Sequence, residues 1–477
     1  MAKTPKRLEL ILLAFILLLG AFLRLYKIDQ YMTFLGDEGR DVTTVREMLL
    51  GRKLTLLGPG TSIGSMYLGP LYYYLMVPAL LLANFSPVGP AVQIAVLGLI
   101  TIVLVWWVCR QWFDSCSALI SALLYSISPT VIIYSRSSWN PNIMPFFTLL
   151  TMYGLWQVWR FKRWSWLIIT AISLAFVLNS HYLGLLLIPV IGLFWFLTKK
   201  NWRFTLISVG IFVLLMSPLF FFDLRHGWIN VHAITHFFSD RQATVNLKAY
   251  KAIPNLWPIL VNVISSLVTA KQILIAQIAA VITLLGTMYL LIFRRSRSLL
   301  FLLTWIGAGL VGLGLYKQHI YDHYYGFLFP AILMLVGYIL SLLPKKIIIL
   351  PIVFLVYINL SHTPLLSSPN LQIARTTEIA SFINSQTSGK PFNLALLSGN
   401  NYDAGYRYFL SLQKAPFYTI HEKLSDQLFV ICELSDCKPI GNPLWEVAAF
   451  GWAKIDQEWT FPWGVRVYRL IHNPSGT

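Results

Sequence analysis

Eleven long apolar segments set what this 477-residue chain can fold into. They run over residues 8–26, 90–108, 115–134, 143–160, 164–180, 182–198, 203–222, 273–293, 298–316, 324–343 and 346–361, and a shorter one covers 71–85. About 20 mostly apolar residues cross a bilayer as a helix, because the helical ladder satisfies the backbone where no water can. Repetition on this scale predicts a mainly α, polytopic membrane protein. Hydrophobic residues make up 57% of the chain and charged ones 12%, which excludes an ordinary soluble domain. The run that follows KTPKR is expected to be an uncleaved first span, since no small-residue cleavage site follows it.

A net charge of +18 could suggest nucleic acid, but its distribution argues against that partner. The basic residues gather between spans, at Lys3/Lys6/Arg7, Arg160/Lys162/Arg163, Lys199/Lys200/Arg203, Arg294/Arg295/Arg297 and Lys345/Lys346, as a positive-inside signal does. Residues 7 and 160 then share the cytoplasmic side, so an even number of crossings separates them. Counting 71–85 as a span breaks this parity. That segment is short, contains Pro78 and opens on Tyr72-Tyr73-Tyr74, all of which suit an interfacial position. Removing it leaves about eleven spans, a cytoplasmic N-terminus and a C-terminus outside. The expected location is a cell membrane, read here as a bacterial plasma membrane.

Residues 1–361 are expected to form the transmembrane domain. Its outer-face loop 27–89 carries an amphipathic helix at 39–50, expected to lie on the membrane, and the interfacial segment 71–85; a second outer loop covers 223–272. Residues 362–477 lack a span-length apolar run. They read as helix 374–386, strand 392–398, helix 402–412, strand 427–433, helix 442–450 and strand 465–471, a small extracytoplasmic α/β domain. Of the four cysteines, Cys432 and Cys437 fall outside and Cys109 and Cys116 near the inner face, so only the outer pair is placed to form a disulfide.

With this topology the unusual polar segments share the outer face: GDEGRD (36–41), SMYLGPLYYYL (65–75), YSRSSWNPN (134–142), NSHYLG (179–184), DLRHGW (223–228) and YKQHIYDHYYG (316–326). Asp37 has two readings, as a helix N-cap or as a general base that takes a proton from an incoming hydroxyl. Arg136, His181, Arg225, His226, His319 and His323 all map outside, and Arg136, Arg225, His226 and His323 are the cations assigned to a phosphate leaving group. Arg136, Arg225 and His226 also break the positive-inside rule, which calls for something anionic to hold them there. Tyr134, Tyr182, Tyr321, Tyr324 and Tyr325 suit either a substrate groove or the aromatic belt of a membrane protein. GPGTSIG (58–64) lacks the Lys-Ser/Thr ending of a phosphate loop, and no cytoplasmic segment is long enough for an ATPase domain. An activated substrate would therefore have to arrive through the membrane.

These residues resemble the GT-C class of integral-membrane glycosyltransferases, in particular glycosyltransferase family 39, which includes protein O-mannosyltransferases and lipid A aminoarabinose transferases. The resemblance covers roughly residues 8–345 and rests on three features. An acidic pair, Asp37-Glu38, follows the first span; Pro70-Leu71-Tyr72-Tyr73 comes next; His181-Tyr182 lies between two later spans. The family implies inverting transfer from a polyprenyl-phosphate sugar to an acceptor on the outer face, with Asp37 as base or organiser of the acceptor. Glu38 and Asp41 are the candidates to stand in for a second carboxylate, and Tyr72, Tyr73, His181, Tyr182, Tyr324 and Tyr325 are the candidates for the substrate groove, the last two on their place among the outer-loop tyrosines. The acceptor is a protein, a lipid or a glycan, and membrane lipids are the other partners. Two departures stand out. Leu68-Gly69 occupy the place where many relatives have His or Lys, and SSWNPN carries Asn140 and Asn142 where many have a second carboxylate. No metal site or cofactor is assigned, and the departures leave a divalent metal open. The alternative is a transporter or flippase of a lipid-linked or anionic substrate, which would use charges at mid-membrane depth. Here the charges sit at span ends.

Overall fold

The computed structural model describes residues 5–64, 66–240 and 243–473. Lys3 of the first basic cluster and Ser65 of the SMYLGPLYYYL segment lie outside the described residues. The chain divides into two compact units. One comprises Met1–Ile28, Arg52–Leu82 and Val88–Ser368; the other comprises Asp29–Gly51, Ala83–Pro87 and Pro369–Thr477.

The first unit is helical, and each of the eleven apolar segments contains a helix. Six are long and apolar enough to cross a membrane: Arg7–Leu25, Val88–Trp112, Trp202–Arg225, Ile273–Phe293, Arg297–Leu315 and Asp322–Ser341. The other five segments fold into shorter or less apolar helices. In one of them Pro129 ends the helix Ser115–Ile127 and starts a separate turn, Pro129–Tyr134, because proline lacks the N–H that would continue the ladder. Leu71–Leu82 has 12 residues. At about 1.5 Å of rise per residue it falls well short of a hydrocarbon core roughly 30 Å thick. A charged group is buried at the start of the bundle. Glu9 accepts hydrogen bonds from Arg110 Nε (2.7 Å), Trp106 Nε1 (3.1 Å) and Ser115 Oγ (3.0 Å), so its desolvation is offset by three donors. The loop 223–272 contains two helices not read from the sequence, Ile229–Ser239 and Ile253–Leu267, both largely apolar but too short to read as spans. The second buries Ile259, Val263, Ile264 and Leu267.

The second unit is built on a four-stranded sheet. β1 (Asn393–Leu397) and β2 (Gln427–Cys432) run parallel, joined through the helix Ala404–Leu412. β3 (Ala453–Thr460) and β4 (Arg466–His472) form an antiparallel pair, and the spatial order is β1-β2-β4-β3. β1 and β2 are buried along their whole length, as the apolar runs NLALL and QLFVIC require. β3 was not legible in the sequence. It is a mostly exposed edge strand, so AKIDQEWT carries no apolar alternation to announce it. The helix expected over 442–450 shrinks to Trp445–Ala448. Cys432 and Cys437 are joined in a disulfide, whereas Cys109 and Cys116 are free.

The helix read over 39–50 extends over Gly36–Gly51 and belongs to this unit. Its apolar side does not rest on a membrane surface as expected: Val42, Val45 and Met48 are buried against protein. Gly39 lies directly on the backbone of Gly405 at the start of Ala404–Leu412, where no Cβ would fit. Gly39 is needed for that approach, whereas a Cβ on Gly405 would only reach ordinary contact with Phe34.

Candidate active site

In the second unit the structure separates the two adjacent carboxylates. Both lie in the first turn of Gly36–Gly51, where the exposed N–H groups favour negative charge. Glu38 is 5% exposed, and its Oε2 accepts the Leu35 N–H at 3.0 Å. The capping that the sequence offered to Asp37 is therefore done by Glu38. Burial pushes the Glu38 carboxyl up to about 7, with the Leu35 N–H pulling it down and Asp37 and Asp41 adding to the rise. This carboxyl is enclosed, which corrects the expectation that it faces substrate alongside Asp37.

Asp37 is 39% exposed at its side chain. Its Oδ1 accepts hydrogen bonds from Arg40 Nη1 (2.8 Å) and from the Tyr402 hydroxyl (2.7 Å). No donor among the described residues reaches its Oδ2. Arg40 also holds the buried Asp41 through Nε (2.9 Å) and Nη2 (2.7 Å), so its guanidinium is fixed between two carboxylates. Burial raises the Tyr402 phenol above its ordinary range, and it stays a donor. Asn401 Oδ1 accepts the Gly36 N–H (2.8 Å) and the Tyr402 N–H (2.9 Å). The sequence analysis missed Arg40, Asn401 and Tyr402. Arg40 stands inside GDEGRD (36–41); for the other two the local signal was SGNNYDAG (398–405), a Gly/Asn-rich turn between a strand and a helix, and nothing in it points to residue 37.

In the first unit three of the expected groove residues, His181, Tyr182 and Tyr324, form an aromatic cluster with His323. His181 stacks on Tyr182 (centroids 4.5 Å), meets Tyr324 (4.8 Å) and approaches His323 (5.8 Å). Trp139, unassigned from sequence, lies 4.5 Å from His323. The Tyr182 and Tyr316 hydroxyls are hydrogen-bonded at 3.1 Å. His181 Nδ1 accepts the Leu183 N–H at 3.2 Å, so that nitrogen carries no proton. Tyr72 packs on Tyr73, and its hydroxyl is 2.7 Å from Ser138 Oγ. Tyr73 and Tyr325 are buried.

Two of the expected cations differ sharply. Arg136 is 2% exposed, and donates to the carbonyls of Leu23 (2.7 Å), Tyr26 (2.8 Å) and Lys27 (3.4 Å) at the end of the first helix. Its departure from the positive-inside rule is thus met by carbonyls at a helix C-terminus, which favours a cation, and it corrects the expectation of a phosphate ligand. Arg225 is exposed at the end of Trp202–Arg225, with no hydrogen-bond or ion-pair partner among the described residues. His226 is also exposed; its ring stacks on Phe222 at 4.0 Å and Nδ1–H donates to the Phe222 carbonyl (2.8 Å). A cavity of about 970 Å³ adjoins the helix Ile229–Ser239 and is lined by Ser62, His232, His236, Asp240, Thr244 and Gln318. Its size is that of a ligand cavity; none of the assigned site residues lines it, although Ser62 belongs to GPGTSIG and Gln318 to YKQHIYDHYYG. Among the described residues no group of three His, Cys, Asp or Glu side chains is arranged to hold a metal ion.

The chain has the fold of the GT-C integral-membrane glycosyltransferases, and the protein is a multi-pass membrane protein. Residues 68–223 match the family described as dolichyl-phosphate-mannose-protein mannosyltransferase. The chain is similar in structure to ArnT from Cupriavidus metallidurans bound to undecaprenyl phosphate, with a TM-score of 0.65 and 12% identity over 96% of this chain and 97% of that one. It is also similar to the oligosaccharyltransferase of Archaeoglobus fulgidus in its apo form, with a TM-score of 0.56 and 10% identity over 98% of this chain and 75% of that one. The Archaeoglobus fulgidus oligosaccharyltransferase AglB in complex with an inhibitory peptide and a dolichol-phosphate gives a TM-score of 0.54 and 12% identity, over 97% and 74% of the two chains. No curated protein matches the chain at a significant level.

Proposed function

We propose that the protein is an inverting glycosyltransferase that moves a sugar from a polyprenyl phosphate to a hydroxyl-bearing acceptor on the outer face of the membrane. The observation that carries this reading is Asp37, an exposed carboxylate whose Oδ1 holds two donors and whose Oδ2 is open to an incoming hydroxyl. The matched family and the lipid phosphates bound by similar folds support the donor class. In the reaction the acceptor oxygen bonds to the anomeric carbon as the bond from that carbon to the phosphate oxygen breaks. The acceptor's proton passes to Asp37, and the polyprenyl phosphate leaves with the electron pair. A positioned base of this kind accelerates a reaction by roughly 100- to 10,000-fold. The exposed pair Arg225 and His226 would meet the lipid phosphate, and charge-assisted hydrogen bonds would strengthen as charge builds on its oxygens. The His181, Tyr182, His323 and Tyr324 cluster would give the sugar aromatic faces and hydroxyls.

The test uses purified protein with a panel of tritium-labelled undecaprenyl-phosphate pentoses and hexoses, and membranes from the host as acceptor. Transfer of label from lipid to acceptor by the wild type, abolished in Asp37→Asn, is the expected result. Asn keeps the shape and accepts hydrogen bonds but takes no proton at neutral pH. Wild-type turnover by Asp37→Asn would remove Asp37 as the base. Movement of the labelled lipid across vesicles without bond cleavage would indicate transport instead.

A further inference from the structure

We infer that Tyr402, from the C-terminal part of the chain, is a positioning residue for Asp37: its hydroxyl fixes the carboxylate so that one oxygen stays available to the acceptor. The inference rests on the reading of Asp37 as the base. Tyr402 and Asp37 are 365 residues apart in sequence and lie in the same compact unit, 2.7 Å from hydroxyl to Oδ1.

The loop that presents Tyr402 is tied down on both sides. Asn401 Oδ1 binds the N–H of Gly36, the residue before Asp37, and the N–H of Tyr402 itself. Asn401 Nδ2 donates to both oxygens of Glu433, at 3.3 and 3.2 Å. Glu433 directly follows β2 and also accepts from Tyr406 (2.8 Å), Ser398 (2.9 Å) and Arg375 (3.4 Å). A continuous hydrogen-bonded path therefore runs from the end of the sheet to the candidate base. The C-terminal domain thereby acquires a part in the chemistry that the sequence did not assign to it. The Tyr402 ring also covers Gly36, where it leaves no room for a Cβ, so ring and hydroxyl have separable roles. Arg40 alone would hold Oδ1 from one side. The hydroxyl supplies a second direction, and two donors on one oxygen set the rotation of the carboxylate.

Tyr402→Phe keeps the ring and removes only the hydroxyl. With the labelled donor that supports wild-type turnover, kcat should fall about tenfold to a hundredfold, the size of one lost hydrogen bond to a charged group. KM for the donor should stay within about threefold, because the hydroxyl acts on the base and not on the bound donor. The unfolding temperature should stay near that of the wild type, since the packing is retained. Tyr402→Ala, which also uncovers Gly36, should lower both activity and unfolding temperature. Wild-type kcat in Tyr402→Phe, with Asp37→Asn inactive, would overturn this inference and leave Asp37 as the base. Full activity in Asp37→Asn would overturn both.

Discussion

Gly39 rests on the backbone of Gly405, so closely that a single added carbon would collide with the Gly405 nitrogen. The contact joins two helices whose sequences lie more than 350 positions apart, and it sits two residues beyond Asp37. Gly39→Ala gains up to about 1 kcal/mol of helix propensity but forces two backbones apart, an overpacking cost of roughly 1–3 kcal/mol or more. Net destabilisation and a lower unfolding temperature in detergent are expected. Gly51→Ala, at the end of the same helix and facing open space, should be neutral or slightly stabilising. Equal behaviour of the two variants would refute the packing account.

Arg136 should prove a structural residue. Arg136→Met leaves the carbonyls of Leu23 and Tyr26 buried without their donor, at a cost of about 3 kcal/mol. Protein yield and unfolding temperature should drop, while the surviving protein keeps its donor KM. A large rise in donor KM at unchanged stability would return Arg136 to the phosphate site. For Arg225→Ala the opposite pattern is expected: unchanged stability and a tenfold to hundredfold weaker use of the donor, from losing a charged hydrogen bond of about 1.5–3 kcal/mol.

The buried Glu38 makes stability depend on pH. Its folded pKa of about 7 lies above the ordinary glutamate value of 4.5. The folded state then binds the proton more tightly than the unfolded state does. Its contribution is fully present below about pH 4.5 and is lost as the pH rises through about 7. The shift corresponds to about 3 kcal/mol at most. Glu38→Gln still accepts the Leu35 N–H and does not ionise. Its unfolding temperature, measured from pH 4 to 8, should vary less than that of the wild type and exceed it at the alkaline end. Parallel curves for the two proteins would show that Glu38 does not titrate in this way.

Topology is testable with single cysteines in a cysteine-free background. His319→Cys, in an exposed loop, should react with an impermeant thiol reagent on intact cells. Lys6→Cys and Lys162→Cys should react only after the cells are opened. Labelling of Lys6→Cys and Lys162→Cys from opposite sides would mean that Leu71–Leu82 crosses the membrane after all.

The sequence by itself determined where the helices of the eleven apolar segments lie and the strands β1, β2 and β4, but not the helices Ile229–Ser239 and Ile253–Leu267. Burial in hydrocarbon or on both faces of a sheet demands continuous apolar runs such as those at Val88–Trp112 and QLFVIC, and that demand is local. It also singled out Asp37-Glu38 as out of place in so apolar a chain, and brought His181, Tyr182, His323 and Tyr324 onto one page before they were seen to cluster. What only the tertiary structure decided was the division of labour among these charges. Which of two neighbouring carboxylates is enclosed, and which is left with a free oxygen, depends on donors supplied by Arg40 and by Tyr402, the latter 365 residues away. Arg136 reads as a misplaced cation until the carbonyls of the first helix are seen to surround it. The apolar side of Gly36–Gly51 reads as a membrane-facing surface until Val42 and Val45 are found buried against protein. Periodicity records that a residue avoids or seeks water; it does not record which partner takes the water's place.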